Sequence, residues 1–208
     1  MKDENLIIDI PTSNVGSIKN IIAELGYEIK VSSNIEDIKK SKRIILPGHG
    51  TFIKAKDFLV DKGIFSYLTK INKNQLFLGI CVGMQLLAEY SHEEKKTTGL
   101  NLIHGEVKKI LLKNNEKLPH IGWNQIIIKQ NDCKLLSNFN HSETLDAYFS
   151  HSYNFNLKDK KNLVCFTPFG KTNISSIVQL KNIFGVQFHP EKSSYFGRQV
   201  LKNFLELN

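Results

Sequence analysis

Along the first half of the chain, short apolar runs alternate with stretches whose apolar positions recur every three to four residues. Leu6-Ile7-Ile8-Asp9-Ile10 reads as a buried strand, and apolar residues at 18, 21, 22 and 25 give Val15 to Leu25 one helical face. Gly26 predicts the end of that helix, and Tyr27 to Val31 alternates as a half-buried strand does. Arg43 to Leu46 predicts another strand, stopped by Pro47-Gly48. Helices are expected over 52–60 and 63–72, then a strand over Leu76 to Gly79 and a helix from Val82 to Tyr90. Strand and helix in alternation predict a parallel sheet covered by helices. The second half differs: 105–112, 125–129, 147–155, 163–167, 174–180 and 183–188 are strand-like, and a last helix is expected over 194–206. No Ser/Gly-rich linker and no internal repeat divides the chain. The expectation is one α/β domain over 1–208, with a mostly parallel central sheet, flanking helices and additional antiparallel strands.

Composition narrows the class. A chain of 208 residues can bury a sizeable core as one domain. The longest apolar runs, such as Leu76 to Val82, fall well short of the ~18 residues a membrane span needs. The opening Met1-Lys2-Asp3-Glu4-Asn5 lacks the features of a secretory signal, so a soluble cytoplasmic protein is expected. Cys81, Cys133 and Cys165 are odd in number and form no C-x-x-C pair, which argues against a disulfide framework or a zinc site. The net charge of +8 comes almost wholly from scattered lysines, with only Arg43 and Arg198 as arginines. Arginine is the usual reader of phosphates and guanine edges, so nucleic acid is not an expected partner.

The most informative segment is Gly79-Ile80-Cys81-Val82-Gly83 at a predicted strand-to-helix junction. It has the form of a nucleophile elbow, with Cys in place of Ser. A side chain lifted off the sheet end needs a tight, strained turn, and glycine is needed two residues to either side to avoid collision. The turn would also set Cys81 at a helix N-terminus, which favours the thiolate, and would aim the Val82 amide at a tetrahedral oxyanion. Two readings stand at this point, a nucleophile or a small buried core residue.

A cysteine nucleophile needs a base, and the base an orienting group. Of the seven histidines (49, 92, 104, 120, 141, 151 and 189), His189 stands out in Gly185-Val186-Gln187-Phe188-His189-Pro190-Glu191. It ends an apolar run, and the proline after it favours an extended backbone. In an extended segment residues i and i+2 share a side, so Glu191 can reach His189 and fix its tautomer while His189 faces the cleft.

Together these two segments resemble the class I (triad) glutamine amidotransferases. Leu46-Pro47-Gly48-His49-Gly50 is similar to the family's oxyanion strand. Pro119 to Asn124 and Tyr148 to Tyr153 resemble segments of glutaminase subunits of imidazole glycerol phosphate synthase. The likeness runs from Leu6 to Leu205. It implies the class I amidotransferase fold, with Cys81 as nucleophile, His189 as base and acid, and Glu191 as orienting carboxylate. Gly48, Gly50 and the Val82 amide would hold the oxyanion, and Gln85 with the backbone at Ser152-Tyr153 would grip the glutamine α-amino end. Asn14, Pro119, Ile121 and Trp123 would meet a synthase (cyclase) subunit in a heterodimer. No metal or organic cofactor is implied, and L-glutamine is the implied substrate. The implied products are glutamate and ammonia, the latter channelled to the cyclase to make imidazole glycerol phosphate and aminoimidazole carboxamide ribonucleotide in histidine biosynthesis.

The chain departs from the pattern twice. His49 stands where the family carries a small apolar residue, either as a bystander or as a modifier of access. After the first strand the family shows D-Y-G-x-G-N, whereas this chain has Asp9-Ile10-Pro11-Thr12-Ser13-Asn14. That change leaves open a paralogue supplying ammonia for sugar modification in surface glycan synthesis. A stand-alone γ-glutamyl hydrolase would use the same triad without a partner. A redox sensor would use Cys81 but not the His189-Glu191 pair.

Overall fold

The computed structural model describes residues 4–113, 116–139 and 145–208. Its first half holds β1 (Asn5–Ile8), α1 (Val15–Glu24), β2 (Lys30–Ser32), α2 (Ile35–Lys40) and β3 (Arg43–Leu46). There follow α3 (Phe52–Asp61), α4 (Ile64–Leu68), β4 (Leu76–Ile80) and α5 (Val82–Gln85). Short strands β5 (Tyr90–Ser91) and β6 (Thr97–Thr98) lead into β7 (Gly105–Lys109), β8 (His120–Ile128), β9 (Leu145–His151) and β10 (Tyr153–Leu157). The chain closes with β11 (Leu163–Phe169), β12 (Thr172–Leu180), β13 (Ile183–Val186) and α6 (Ser194–Glu206).

One sheet has nine strands in the order β2-β1-β3-β4-β13-β12-β11-β8-β9, and a second has four in the order β10-β7-β5-β6. From β2 to β13 every pairing is parallel, and from β13 to β9 every pairing is antiparallel. The expected mostly parallel sheet with antiparallel additions is therefore a sheet of two halves. The inner parallel strands β1, β3 and β4 are mostly apolar, with Leu6, Ile7, Ile8, Ile44, Ile45, Leu46, Phe77 and Leu78 fully buried, as strands covered on both faces require. The edge strand β2 (Lys30–Ser32) is only partly buried. Helix α1 turns Ile18 and Ile22 inward, α3 turns Phe52, Ala55 and Leu59, and α6 turns Val200, Leu201 and Phe204.

Several predicted elements differ in extent, each for a local reason. Gly26, at φ 87°, ends α1 in a Schellman arrangement, with Tyr27 N–H on Ile22 O and Gly26 N–H on Ala23 O. Tyr27 is thereby still tied to the helix, and the strand starts only at Lys30. Helix α2, absent from the sequence reading, is too short to show a period and is set by Asn34 capping the Glu36 N–H at 2.8 Å. The expected helix from Val82 to Tyr90 stops after one turn. The carbonyls of Leu86, Leu87, Ala88 and Glu89 are taken by the N–H groups of 99–103 instead. The expected strand 147–155 is two strands in two sheets, β9 and β10, which part at Ser152.

Strand direction places the site. Cys81 follows β4, and the turn 187–192 follows its parallel neighbour β13, so both lie at the carboxyl end of the parallel half. Counting alternations outward from β13, β8 runs down and β9 runs up. The start of β8 and the end of β9, paired as His120 opposite His151, therefore lie at that same end. So does the loop 9–14 after β1.

Candidate active site

Cys81 has φ 53° and ψ −112°, a left-handed conformation that a non-glycine residue adopts only under strain. The flanking glycines permit it. A Cβ on Gly79 would stand 2.5 Å from Gly83 O, and one on Gly83 would stand 1.9 Å from Leu46 O. A Cβ on Gly48 would meet Gly83 N at 2.5 Å. The segment 46–48 thus packs directly against the elbow. Gly48 backs the turn, whereas His49 and Gly50 reach the cavity wall. With α5 only one turn long, the expected helix-dipole support for a thiolate is small.

His189 lies beside this turn. Its N–H donates to Tyr148 O at 2.9 Å, its carbonyl accepts from Ser193 Oγ at 2.6 Å, and Ser193 Oγ in turn accepts the Tyr148 N–H at 2.9 Å. Pro190–Lys192 forms a single 3-10 turn rather than the extended segment expected, and this turn brings Glu191 Oε1 to 3.0 Å from His189 Nδ1. Both side chains are almost wholly buried, at 5% and 1% exposure. Burial works against a charged ring, but the Cys81 sulfur and the Glu191 carboxylate outweigh it and raise the His189 pKa from 6.5 to about 10. Nε2 has no hydrogen-bond partner among the described residues, while the Cys81 sulfur accepts from Gln187 Nε2 at 3.6 Å. Thiol and imidazole are thus near each other and not yet joined, as is common before substrate arrives.

A cavity of about 230 Å³ opens beside Cys81, lined by His49, Gly50, Val82, Gln85, Glu93, Pro119, Ser150, His151, Ser152 and Tyr153. It gathers most of the expected substrate residues, and also Pro119 from the expected partner face. His189 was expected to face the cleft. It is buried instead, and the exposed His49 ring, 6.0 Å away and tilted by 58°, holds the wall position. Gln85 spends its Nε2 on Tyr153 O at 3.3 Å and Gln187 Oε1 at 3.0 Å. Tyr153 O also accepts from His151 Nδ1 at 2.7 Å, so both its lone pairs are used within the chain.

Sequence reasoning missed Glu93, Ser150, His151 and Gln187. Gln187 sits two residues before His189, and His151 one before Ser152, so both lay inside segments already singled out. Glu93 gave no such signal; its Oε2 accepts the Phe52 N–H at 2.6 Å, and burial pushes its pKa up. Among the expected partner residues, Ile121 and Trp123 are 60% and 55% exposed, and Trp123 meets Tyr148 edge-on at 6.3 Å. Asn14 stands exposed at the N-cap position of α1 without a side-chain bond to the helix backbone, its Oδ1 accepting from Ser17 Oγ at 2.8 Å. The altered segment forms a turn closed by Ser13 N–H on Ile10 O at 2.9 Å, with Pro11 at its second position. Of the remaining histidines, His141 lies outside the described residues, and His92 and His104 pair with Glu106 and Glu89 instead. Among the described residues no group of His, Cys, Asp or Glu is arranged to hold a metal ion, and no helix is long and apolar enough to cross a membrane.

The family model for glutamine amidotransferase class-I matches residues 6–207. The chain belongs to the class I glutamine amidotransferase family. Within that family, this amidotransferase is 40% identical over 202 residues to the imidazole glycerol phosphate synthase subunit HisH 2 of Methanococcus maripaludis, covering 96% of this chain and 98% of the relative. It is also 40% identical over 209 residues to the imidazole glycerol phosphate synthase subunit HisH of Pelagibacter ubique, with 97% and 98% covered. Among solved structures, PurLQS from Thermotoga maritima superposes with a TM-score of 0.74 at 20% identity over 99% of this chain and 98% of the other. That likeness supports the fold of the amidotransferase.

Proposed function

We propose that the chain is a single amidotransferase domain that hydrolyses L-glutamine and passes the ammonia to a synthase subunit. The observation that carries this reading is His189, set beside a strained Cys81 and paired at 3.0 Å with a buried Glu191. The Cys81 thiolate attacks the carboxamide carbon of glutamine. The C–N bond breaks, and ammonia leaves with a proton from His189, which leaves a γ-glutamyl thioester. Water then attacks the thioester as His189 takes its proton, and glutamate departs with Cys81 restored. Glu191 holds the His189 tautomer and stabilises the imidazolium. The Val82 amide and the backbone at Gly48 to Gly50 serve the oxyanion. On the cavity wall, Glu93 offers a carboxylate to the substrate α-ammonium, and Gln85 offers its Oε1.

The relatives named above as imidazole glycerol phosphate synthase subunits favour the cyclase of histidine biosynthesis as the partner in a heterodimer. Exposed Ile121 and Trp123, with Pro119 and Asn14 at the same end of the sheet, support a docking face there. The proline turn at Ile10 to Ser13 favours a second reading, in which a paralogous partner on a sugar-modification route takes the ammonia. Loss of the gene in a strain with no second copy separates the two. Histidine auxotrophy supports the first, and growth without histidine overturns it.

For the chemistry, Cys81→Ala should abolish glutaminase activity in a folded protein, and a glutamine-analogue electrophile should label Cys81 alone. Cys133 and Cys165 are buried, and burial raises both thiols, Cys133 to about 11. Labelling at either one overturns the assignment. Activity should be low in the isolated chain and rise in kcat when the synthase subunit binds. Full activity of the chain alone would favour a stand-alone hydrolase.

A further inference from the structure

Strand β8 carries two polar side chains that the catalytic reading leaves unused, His120 and Asn124, and the hydrogen bonds they start have one consistent direction. Asn124 Oδ1 accepts the Gln125 N–H at 2.8 Å. The amide nitrogen is thereby the donor toward Pro168 O and His120 Nε2, each at 3.4 Å. An accepting Nε2 leaves the His120 proton on Nδ1, which donates to His151 Nε2 at 3.3 Å. His151 must in turn carry its proton on Nδ1, because that atom faces the Tyr153 carbonyl at 2.7 Å and a carbonyl only accepts. Tyr153 O also takes Gln85 Nε2, which donates to Gln187 Oε1, and Gln187 Nε2 reaches the Cys81 sulfur. Each imidazole therefore has one neutral tautomer, with every donor matched to an acceptor.

Packing holds the rings in place. His120 is stacked between Phe149 at 4.9 Å and Phe169 at 4.1 Å, and the ring of His151 lies 5.7 Å from Phe149. Both histidines are buried, at 3% and 6% exposure. A route for moving protons would need a charged imidazole in this apolar setting, which burial disfavours. What the network can do is hold groups in register.

We infer that His120 and His151 are positioning residues for the glutaminase reaction, a neutral relay tying the strand that bears Ile121 and Trp123 to the Tyr153 carbonyl and, through Gln85 and Gln187, to the Cys81 sulfur. The inference rests on the reading of Cys81 as nucleophile. A shift of β8 on partner docking changes the His120–His151 contact across to β9 first, and the relay passes that change to the cavity wall. A histidine pair that merely filled the core would behave differently, since any ring of similar size would then serve.

The test is steady-state glutaminase kinetics on the full chain. His151→Phe keeps the ring and loses both hydrogen bonds, so the glutamine KM should rise roughly tenfold, the worth of one buried hydrogen bond. His151→Asn sets an amide where Nδ1 stood, keeps the bond to Tyr153, and should return KM to within about threefold of the parent value. His120→Phe should shift KM the same way by less, and the double His120→Phe/His151→Phe variant should be no worse than His151→Phe alone. Asn124→Leu, at a partly exposed position, gives the same direction without burdening the core. Equal KM values for His151→Phe and His151→Asn, additive losses in the double variant, or an unchanged KM in Asn124→Leu would each overturn the relay. Persistent activity in Cys81→Ala would instead overturn the catalytic reading on which it stands.

Discussion

The turn after β13 and the corner between β9 and β10 both bury histidine within one site, and they hold it in opposite charge states. At His189 the neighbours are a thiol sulfur and a carboxylate, and the ring is held charged up to about pH 10. At His120 and His151 burial dominates, the neighbours are another imidazole and a backbone carbonyl, and the pKa values fall to about 4 and about 3. Burial lowers His151 most, its bond to Tyr153 O works the other way, and the neighbouring imidazoles of His120 and His189 each add to the lowering. Depth alone thus does not set the charge of an imidazole; the chemistry of its nearest partner does. One pair is equipped to transfer protons, and the other to keep its protons where they are.

The largest expected contrast between the pairs is kinetic. His189→Ala should cut kcat by roughly a thousandfold, the usual scale of general acid–base catalysis, and Glu191→Gln should cut it by less. Both losses should appear in kcat, whereas changes at His151 should appear in KM. A kcat loss as deep in His151→Asn as in His189→Ala would erase the distinction.

The backbone beneath the charged pair offers the next test. Gly83→Ala drives a Cβ to 1.9 Å from Leu46 O. It should cost about 1–3 kcal/mol of stability by overpacking, read from urea unfolding. The relay, which does not touch that contact, should stay intact in His120 and His151 ring shifts by NMR.

The pairs should also divide the pH dependence of stability. His189 is raised on folding, so its contribution is complete below pH 6.5 and is lost as pH rises through about 10. His120 and His151 are lowered on folding, so theirs is complete above pH 6.5 and is lost as pH falls toward 4 and then 3. Urea midpoints measured against pH should show a smaller alkaline fall in Glu191→Gln, where Cys81 still acts on His189, and a smaller acid fall in His120→Phe, where His151 remains. The reverse assignment would contradict the charge states described here.

The smallest effect belongs to the turn at Ile10 to Ser13. Pro11→Gly frees the unfolded chain and should lower stability by only about 0.4–1 kcal/mol. Glutaminase activity of the isolated chain should not change, since the turn touches neither histidine pair. The value of this variant lies in whether affinity for a synthase subunit alters.

The parallel half of the sheet was largely legible in the sequence because its signals are local. Leu6 to Ile8 and Ile44 to Leu46 are continuous apolar runs, Gly26 marks a helix end, and the Gly79-Cys81-Gly83 spacing is the chemistry of the elbow itself. The pairing of His189 with Glu191 was likewise visible, although a 3-10 turn achieves it rather than an extended strand. The antiparallel half resisted because its decisive contacts are distant. Nothing near Leu86 says that its carbonyl will bond Leu100, so the helix after Cys81 read as too long. Nothing near Ser152 says that the chain changes sheets there. The His120–His151 pair depends on the register of β8 against β9, which neither segment reveals alone.

The seam between the two halves has a consequence for how the protein comes into being. The elbow rests on β3, β4 and the segment 46–48 from early in the chain, and on the Cys81 N–H bond to Val186 O at 2.8 Å from the late β13. Its base arrives only when β13 slots between β4 and β12, near the end of synthesis. Pairing across so long a stretch of sequence forms slowly and closes the structure late. A chain still emerging, or one cut short before β13, lacks both the bond that ties down Cys81 and the imidazole that activates it. The paired thiol and imidazole are thus the last feature the molecule acquires, and chains without β13 cannot waste glutamine.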